Sequence, residues 1–257
     1  MDIPELLAFY DADVRARPGA RPGLAVERVG GVVRLVGQFN FVCWWDFTDE
    51  GAPAAVARQA AHFRSLGEPL LWRVHDHDRP TALPDLLARN GFRPDPPGTL
   101  MVFDLADDLA SGASPGVEVR QARNLIDVAD FATAADRAFG DTQASERSAV
   151  YAAHLDNPDL ALFVAYLDAK PVASARLETT PGQAFGQLFG GGVAPEHRGL
   201  GAYRALVQAR AEEARRRGLR YLSIEARETS RPILQRLGFV AVGRETTWVL
   251  PPDASAA

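Results

Sequence analysis

Residues 190–206 read GGGVAPEHRGLGAYRAL. Residues 185–189 (FGQLF) before this stretch favour a strand, and an amphipathic helix is predicted after it, from about Leu200 to Arg217. The glycines therefore lie where a helix begins, and a helix N-terminus offers unpaired backbone N–H groups and a partial positive charge. Glycine lets a phosphate approach the backbone closely, so the stretch predicts a phosphate-binding turn between a strand and a helix.

A glycine-rich turn can also do no more than reverse the chain, and that is the favoured interpretation of an isolated Gly-x-Gly. Here the longer string V-x-P-E-x-R-G-x-G begins at Val193, follows a strand and precedes a helix rich in Ala and Leu. Arg198 adds a fork of N–H donors beside the same turn. The combination favours a ligand site over a simple turn.

An α/β series surrounds this turn. It comprises strands at Val117–Gln121, Ala161–Tyr166, Pro171–Glu178, Phe185–Val193 and Tyr221–Glu225, helices at Leu125–Phe139 and Glu146–Leu155, a short helix at Pro232–Arg236, and final strands up to Leu250.

The first part of the chain shows a shorter α/β pattern. Its predicted elements are a helix over Ile3–Val14, one or two strands over 33–47, a helix over Val56–Phe63 that ends at Gly67, a strand over Leu70–Val74, a short helix over Leu83–Arg89 and a strand over Thr99–Leu105.

The acidic and then turn-rich segment 106–116 (ADDLASGASPG) is typical of a linker, and it predicts two domains, residues 1–108 and 115–257. Residues 86–92 (LLARNGF) align without gaps on residues 233–239 (ILQRLGF). In both halves the order is helix, strand, short helix, Gly-Phe, strand. A chance match over seven residues is possible, but the shared order favours an internal duplication.

The composition excludes several classes of protein. The formal charge of −5 argues against a nucleic-acid partner held by phosphate contacts. The longest apolar stretch, Leu160–Leu167, is too short to span a membrane. Cys43 is the single cysteine, so it forms no internal disulfide, and no Cys/His spacing resembles a zinc site. With an acidic start that lacks a signal peptide's basic region, these features predict a cytoplasmic protein without a metal.

The segment around Arg198 resembles the pyrophosphate-loop motif of the GNAT superfamily of N-acetyltransferases, Arg/Gln-x-x-Gly-x-Gly/Ala. The turn at 237–239 resembles the family's second signature, and the order of elements from Val117 to Leu250 is similar to the full GNAT domain. The resemblance implies an α/β (α+β) fold, namely a GNAT-like mixed sheet flanked by helices, whose fourth and fifth strands splay around the pantetheine arm of acetyl-CoA. It also implies that residues 24–105 are a smaller, degenerate lobe of similar fold, as in tandem GNAT proteins.

The resemblance also assigns cofactor-binding residues. The backbone of the fourth strand should pair with the pantetheine amides, and the three glycines suit a bulge there. The turn and the first helical residues should hold the pyrophosphate. The implied residues are Gly191, Gly192 and Val193 for pantetheine, and Arg198, Gly199, Leu200, Gly201, Ala202, Tyr203 and Arg204 for pyrophosphate.

The sequence departs from the family pattern at three positions. Tyr203 stands where the motif normally has Gly or Ala. Leu234 stands where many members have the tyrosine that protonates the departing thiolate, and Arg227 stands where a cofactor-binding Asn is often found. In the first half, Asp49 and Glu50 precede the long helix and would repel a pyrophosphate. That lobe is therefore predicted to be non-catalytic.

Acetyl transfer needs a group that takes a proton from the amine. Glu225, at the end of the fifth strand, is the favoured base, with burial expected to raise its pKa toward neutrality, although a solvated strand-end carboxylate is the alternative. Gln187 would orient water or substrate. Weaker candidates are Glu178 as a base and Tyr203 or Tyr221 as an acid, although packing is the simpler role for both tyrosines.

These features predict an N-acetyltransferase that moves acetyl from acetyl-CoA to an amine, with a small-molecule acceptor held between the lobes and a monomeric or homodimeric state. Two alternatives are a non-catalytic acyl-CoA-binding sensor, which the absent tyrosine allows, and a protein or peptide N-acetyltransferase.

Overall fold

A computed structural model of the protein describes residues 2–19, 21, 23–110 and 114–252. The helices reflect amphipathic segments that begin at caps or prolines. Asp2, for example, caps α1 by accepting a hydrogen bond from the Glu5 backbone N–H at 3.0 Å. The α-helices are α1 (Ile3–Tyr10), α2 (Ala52–Leu66), α3 (Leu83–Arg89), α4 (Leu125–Phe139), α5 (Ala144–Ala152), α6 (Ala202–Arg216) and α7 (Arg231–Arg236), with a π-helical turn at Asp11–Arg15 and a 3-10 turn at Pro195–His197.

The strands are rich in Val, Leu, Phe and Trp. They are β1 (Leu24–Val29), β2 (Val32–Gly37), β3 (Phe41–Trp45), β4 (Leu70–His75), β5 (Arg93–Pro94), β6 (Gly98–Asp104), β7 (Glu118–Gln121), β8 (Leu160–Leu167), β9 (Lys170–Glu178), β10 (Phe185–Val193), β11 (Tyr221–Ala226) and β12 (Val240–Leu250).

The chain divides into two compact units. Unit 1 comprises residues 1–100, 225–228 and 241–257, and unit 2 comprises residues 101–224 and 229–240. The last strand of each sequence half thus belongs mainly to the other half's unit, because residues 101–104 of β6 lie in unit 2 and residues 241–250 of β12 lie in unit 1. The boundaries drawn from the sequence, 1–108 and 115–257, stay a prediction about which segments fold independently.

Unit 1 contains a sheet with the strand order β1-β2-β3-β4-β12. The pairs are antiparallel except for β3 and β4, which are parallel. Helices α2 and α3 supply apolar side chains to its core, where Val56, Phe63 and Leu87 pack with Trp72 of β4. The predicted strand region 33–47 forms the two strands β2 and β3, and β1 is a further strand that its more polar sequence did not reveal.

Unit 2 contains the strand order β11-β10-β9-β8-β7, with β6 beside β11. The pairs β7/β8, β8/β9 and β9/β10 are antiparallel, whereas β10 and β11 are parallel. Helices α4 and α6 pack on this sheet. The predicted mixed sheet flanked by helices is therefore confirmed. Each unit has a parallel strand pair joined by a long helix, α2 or α6, as the proposed duplication requires.

Candidate active site

The turn between β10 and α6 adopts the backbone conformation that its glycines predict. Gly199 and Gly201 have φ angles of +82° and +88°, which L side chains rarely adopt. Gly201 is the N-cap of α6 and makes no side-chain capping hydrogen bond. Because the first N–H groups of a helix have no helical acceptor, the first turn of α6 presents free donors and the positive end of its dipole. This turn can therefore bind an anion.

Strand β10 carries the predicted bulge. Its pairing with β9 is regular up to Phe189 opposite Arg176 and resumes at Gly192 opposite Ser174, with a register shift between them. A Cβ atom on Gly192 would lie 2.8 Å from both Ala138 Cβ and Phe139 Cζ. Only glycine fits there, because the end of α4 packs directly on the strand. The bulge frees backbone groups of β10 from the sheet.

Strands β10 and β11 separate, as predicted. They pair from Phe185 opposite Tyr221 to Gln187 opposite Ser223. Beyond this point β10 continues to Val193 without pairing to β11. The unpaired edge of β10 has backbone donors and acceptors for an extended ligand arm.

A cavity of about 680 Å³ in unit 2 joins the bulge to the turn. It is lined by nine of the ten residues predicted to bind the cofactor, and Leu200 is the exception, since its side chain is 52 % exposed and lies outside the cavity. The nine residues are Gly191, Gly192, Val193, Arg198, Gly199, Gly201, Ala202, Tyr203 and Arg204.

Sequence reasoning missed the other cavity wall. Helix α7 and the residues next to it supply one part, the end of α4 supplies another, and Ala110 and His197 complete this wall. These residues are Ala110, Ala138, Phe139, His197, Thr229, Ser230, Ile233, Arg236 and Leu237. Most of these residues are apolar or weakly polar and gave no signal; the exceptions are Arg236, whose guanidinium suits a phosphate ligand, and His197, whose imidazole can form a hydrogen bond. With Arg198 and Arg204, the cavity has three arginines and one histidine on its wall.

Glu225 lies in a different environment from the one predicted. In unit 1 its Oε1 atom pairs with Nη1 of Arg73 at 3.2 Å, and both side chains are 26 % exposed. Glu245 of β12 shares a side-chain hydrogen bond with Glu225. His75 approaches the same two carboxylates, with the three side-chain ligand atoms within 4.8 Å of one another. Glu225 is thus one member of a carboxyl pair held by an arginine.

The prediction that the pKa of Glu225 is raised is wrong. Burial acts to raise it, but the charge of Arg73 and the hydrogen bond with Glu245 hold the pKa of Glu225 below its usual value. Burial and the neighbouring charge of Glu225 instead raise the pKa of Glu245 well above its usual value. Burial also lowers the pKa of His75 well below its usual value. The first proton of the pair therefore leaves from Glu225, and the second leaves from Glu245 at a higher pH.

This pair makes folding stability depend on pH. A group whose folded-state pKa is raised stabilises the fold most at low pH, and its contribution is lost as the pH rises from its unfolded pKa through its folded pKa. Glu245→Gln removes this loss. We expect the difference in free energy of unfolding, variant minus wild type, to rise with pH above about pH 4.5 by at most about 1.4 kcal/mol per pH unit. Urea unfolding at about pH 5 and about pH 8 measures the effect, and an equal difference at both values would contradict the assignment.

Four other residues discussed in the sequence analysis do not line the cavity. Gln187 is buried on β10, and it does not line the cavity. Glu178 forms an ion pair with Nε of Arg176 at 2.6 Å. Tyr221 stacks on Phe185 with ring centroids 4.9 Å apart. Leu234 is buried on α7. This helix therefore has no proton donor at the position where many GNAT members have a tyrosine.

Cys43 is buried on β3, and its thiol donates to the carbonyl oxygen of Val33 at 3.3 Å. Burial raises the pKa of this thiol, as its apolar neighbours predicted. We therefore expect Cys43→Ala to retain most turnover, because an un-ionised buried thiol is a poor nucleophile. Intact-mass spectrometry after incubation with acetyl-CoA checks this, and an acetyl group on Cys43 would overturn it.

A helix N-terminus at a glycine turn, a bulged strand and a diverging partner strand are the features that the resemblance to the GNAT fold implied. Comparisons with known proteins agree. Residues 128–239 match the model of the acetyltransferase (GNAT) family. No curated protein matches the chain by sequence.

Solved structures with the same fold cover both units. A GCN5-related N-acetyltransferase from Kribbella flavida is 14% identical, with a TM-score of 0.73 over 99% of this chain and 98% of that one. One from Sphaerobacter thermophilus is 16% identical, with a TM-score of 0.66 over 95% of this chain and 89% of that one. A tandem GNAT protein from the clavulanic acid biosynthesis pathway is 17% identical, with a TM-score of 0.63 over 92% of this chain and 86% of that one.

Residues 128–239 therefore match the GNAT acetyltransferase family, whose members are acyltransferases. Members of this family use acetyl-CoA as cosubstrate. Among the described residues, no helix has both the length and the apolar character needed to cross a membrane.

Proposed function

We propose that the protein transfers the acetyl group of acetyl-CoA to the amine of a small molecule, with the cofactor in the cavity of unit 2. The observation that carries this proposal is the convergence of the bulge of β10 and the turn before α6 on one cavity. A cavity of this size suits a cofactor-sized ligand. Neither element alone distinguishes a ligand site from ordinary chain geometry.

The pyrophosphate occupies the turn. Its oxygens accept hydrogen bonds from the free N–H groups of the first turn of α6, and the guanidinium groups of Arg198 and Arg204 lie on the same cavity wall. Nε of Arg198 donates to the Val193 carbonyl oxygen at 3.3 Å, which fixes this side chain beside the end of β10. Leu200 takes part only through its backbone, because its side chain is outside the cavity.

The pantetheine arm follows β10. The backbone of Gly191, Gly192 and Val193 pairs with its amides, since β11 no longer occupies this edge. Side chains at 191 and 192 would narrow the path, so the glycines leave room for the arm. The thioester then lies at the bulge, where a backbone N–H polarises its carbonyl group.

Glu225 is the proposed proton acceptor for the amine. The carboxylate of Glu225 can take one proton from the amine, and Arg73 keeps the carboxylate in place. Gln187 of β10 is the proposed partner of an ordered water, if the proton travels through solvent. The acceptor amine is small, and no metal, nucleic acid or membrane takes part.

The test is turnover of acetyl-CoA with a panel of amines, read as free CoA thiol. The panel contains an aromatic monoamine, a polyamine, an amino sugar and a set of peptides with free N-termini or lysines. We expect turnover with at least one small amine. Acetylation of peptides alone would favour a protein or peptide N-acetyltransferase. Binding of acetyl-CoA without turnover of any amine would favour an acyl-CoA sensor, the function that Leu234 in place of tyrosine allows.

The oligomeric state is proposed to be monomer or homodimer, and the setting is proposed to be cytoplasmic.

A further inference from the structure

Tyr203 packs against the bulge of β10. A Cβ atom on Gly191 would lie 3.1 Å from Cε2 of Tyr203 and 3.6 Å from Nη2 of Arg210. The Tyr203 side chain lines the cavity, and its hydroxyl makes no hydrogen bond among the described residues. The phenol is therefore available beside the strand segment along which the pantetheine arm is proposed to run.

Arg210 lies on the same face of α6 as Tyr203, two helical turns further along, and is fully buried. Its Nε donates to the Leu206 carbonyl oxygen at 3.0 Å and its Nη1 to the Arg176 carbonyl oxygen at 3.5 Å, but its Nη2 has no partner. Among the described residues it pairs with no carboxylate, whereas Arg176 beside it pairs with Glu178. Burial lowers the pKa of Arg210 to about 10, and the phenol of Tyr203 acts in the opposite direction.

A buried guanidinium without a counter-charge is costly to the fold. An opposite charge that develops beside such a group during a reaction offsets this cost. Tyr203 is the one acidic group that acts on Arg210 among the described residues. A proton leaving this phenol would create the missing negative charge.

We propose that Tyr203 donates the proton taken up by the departing CoA thiolate, and that Arg210 is a positioning residue that stabilises the phenolate. The inference rests on the proposed acetyl transfer. It fills the role that Leu234 leaves open on α7, and it accounts for a bulky residue at a position where the pyrophosphate-loop motif has Gly or Ala.

The amine nitrogen forms a bond to the thioester carbon and loses a proton to Glu225. The tetrahedral intermediate collapses, the C–S bond breaks, and the sulfur takes the bonding electron pair. The Tyr203 hydroxyl gives its proton to that sulfur, which produces CoA thiol. The phenolate then regains a proton from solvent, and the proton on Glu225 returns to solvent.

The first measurement is the turnover of Tyr203→Phe, which removes the hydroxyl and keeps the ring. With acetyl-CoA and the best amine of the panel, we expect kcat to fall by about 10²-fold while KM for acetyl-CoA changes little. Tyr166→Phe is the matched control, because it removes a tyrosine hydroxyl that donates to Asp130 and lies outside the cavity. Tyr221→Phe tests the rival tyrosine.

The second measurement does not need an acceptor. CoA and desulfo-CoA differ only at the sulfur, and calorimetry compares their binding. We expect wild type to prefer CoA by roughly 2- to 12-fold, the range of one hydrogen bond, and Tyr203→Phe to lose that preference. A purely structural role for Tyr203 would weaken both ligands equally.

Arg210→Met removes the buried charge, and Arg210→Lys keeps it. We expect Arg210→Met to lower kcat at least roughly tenfold without lowering the melting temperature, and Arg210→Lys to retain more turnover. Wild-type kcat in both Tyr203→Phe and Arg210→Met overturns the proposal, as does a loss in Tyr221→Phe alone. If wild type binds acetyl-CoA but acetylates no amine, the proposed function fails, while the desulfo-CoA comparison still decides whether Tyr203 contacts the sulfur.

Discussion

Glu225→Gln should lower kcat/KM by about 10²–10⁴-fold while the stabilisation of the fold by acetyl-CoA is unchanged. Glutamine keeps the shape of the side chain but cannot accept the amine's proton. Because Arg73 holds the pKa of Glu225 below its usual value, the carboxylate is ionised throughout the neutral range. The rise of kcat/KM with pH that Glu225 causes therefore lies below about pH 4.5 and not near neutrality.

Glu27→Gln is the matched control for this variant. Glu27 pairs with Nη2 of Arg34 at 2.6 Å in the same unit, so the change also breaks a glutamate–arginine pair there. It should leave kcat/KM unaltered. A large loss of kcat/KM in Gln187→Ala, together with full turnover in Glu225→Gln, would show that an ordered water on β10 takes the proton in place of Glu225. If neither change slows turnover tenfold, the enzyme positions an amine that is already neutral, and the roles of both residues are withdrawn.

Gly199→Glu should abolish binding of acetyl-CoA. At about 100 times its dissociation constant the ligand should stabilise wild type by roughly 2.7 kcal/mol, which raises the melting temperature by about 5–10 °C. A glutamate at 199 puts a negative charge at the turn where the pyrophosphate is proposed to lie. Differential scanning fluorimetry with and without acetyl-CoA measures the loss of this shift.

Gly218→Glu is the control for backbone strain. Gly199 and Gly218 have φ angles of +82° and +74°, and a Cβ atom would contact nothing within 4 Å at either position. Both variants therefore have a similar conformational cost, but Gly218 follows α6 and does not line the cavity. Gly201 is less suitable, because a Cβ atom there would lie 2.6 Å from Oγ of Ser114. An unchanged melting shift in Gly199→Glu would refute the site.

The sequence predicted the parts of the site that depend on local chemistry. The turn at Gly199 and Gly201 needs positive φ, and the bulge at 190–192 needs residues without Cβ atoms, so both leave a mark in the residue types. The order of strands and helices followed from periodicity and from the Gly-Phe turns. Helix ends were predicted less well: α5 spans Ala144–Ala152, whereas Glu146–Leu155 was predicted, because capping there depends on context.

The parts that failed depend on contacts between distant segments. Nothing near Glu225 in the chain indicates Arg73 or Glu245, so its pKa was predicted from burial alone. Phe139 and Ile233 line the cavity because of the way their helices pack in the folded protein. An apolar residue in a sequence does not indicate which cavity it will face. The burial of Arg210 without a carboxylate partner could not be predicted either, because most arginines in a helix of this composition lie at the surface.

The exchange of terminal strands also has consequences for how the chain is made. Strand β4 pairs with β12 from Leu70 opposite Leu250 to His75 opposite Glu245, so β4 finds this neighbour only after the intervening strands and helices have been synthesised. Until then the β4 edge exposes unpaired peptide groups, which makes the nascent protein prone to aggregation. Such long-range pairing also slows folding. A protein cut at residue 110 would keep this edge of β4 open, because β12 would be on the other fragment.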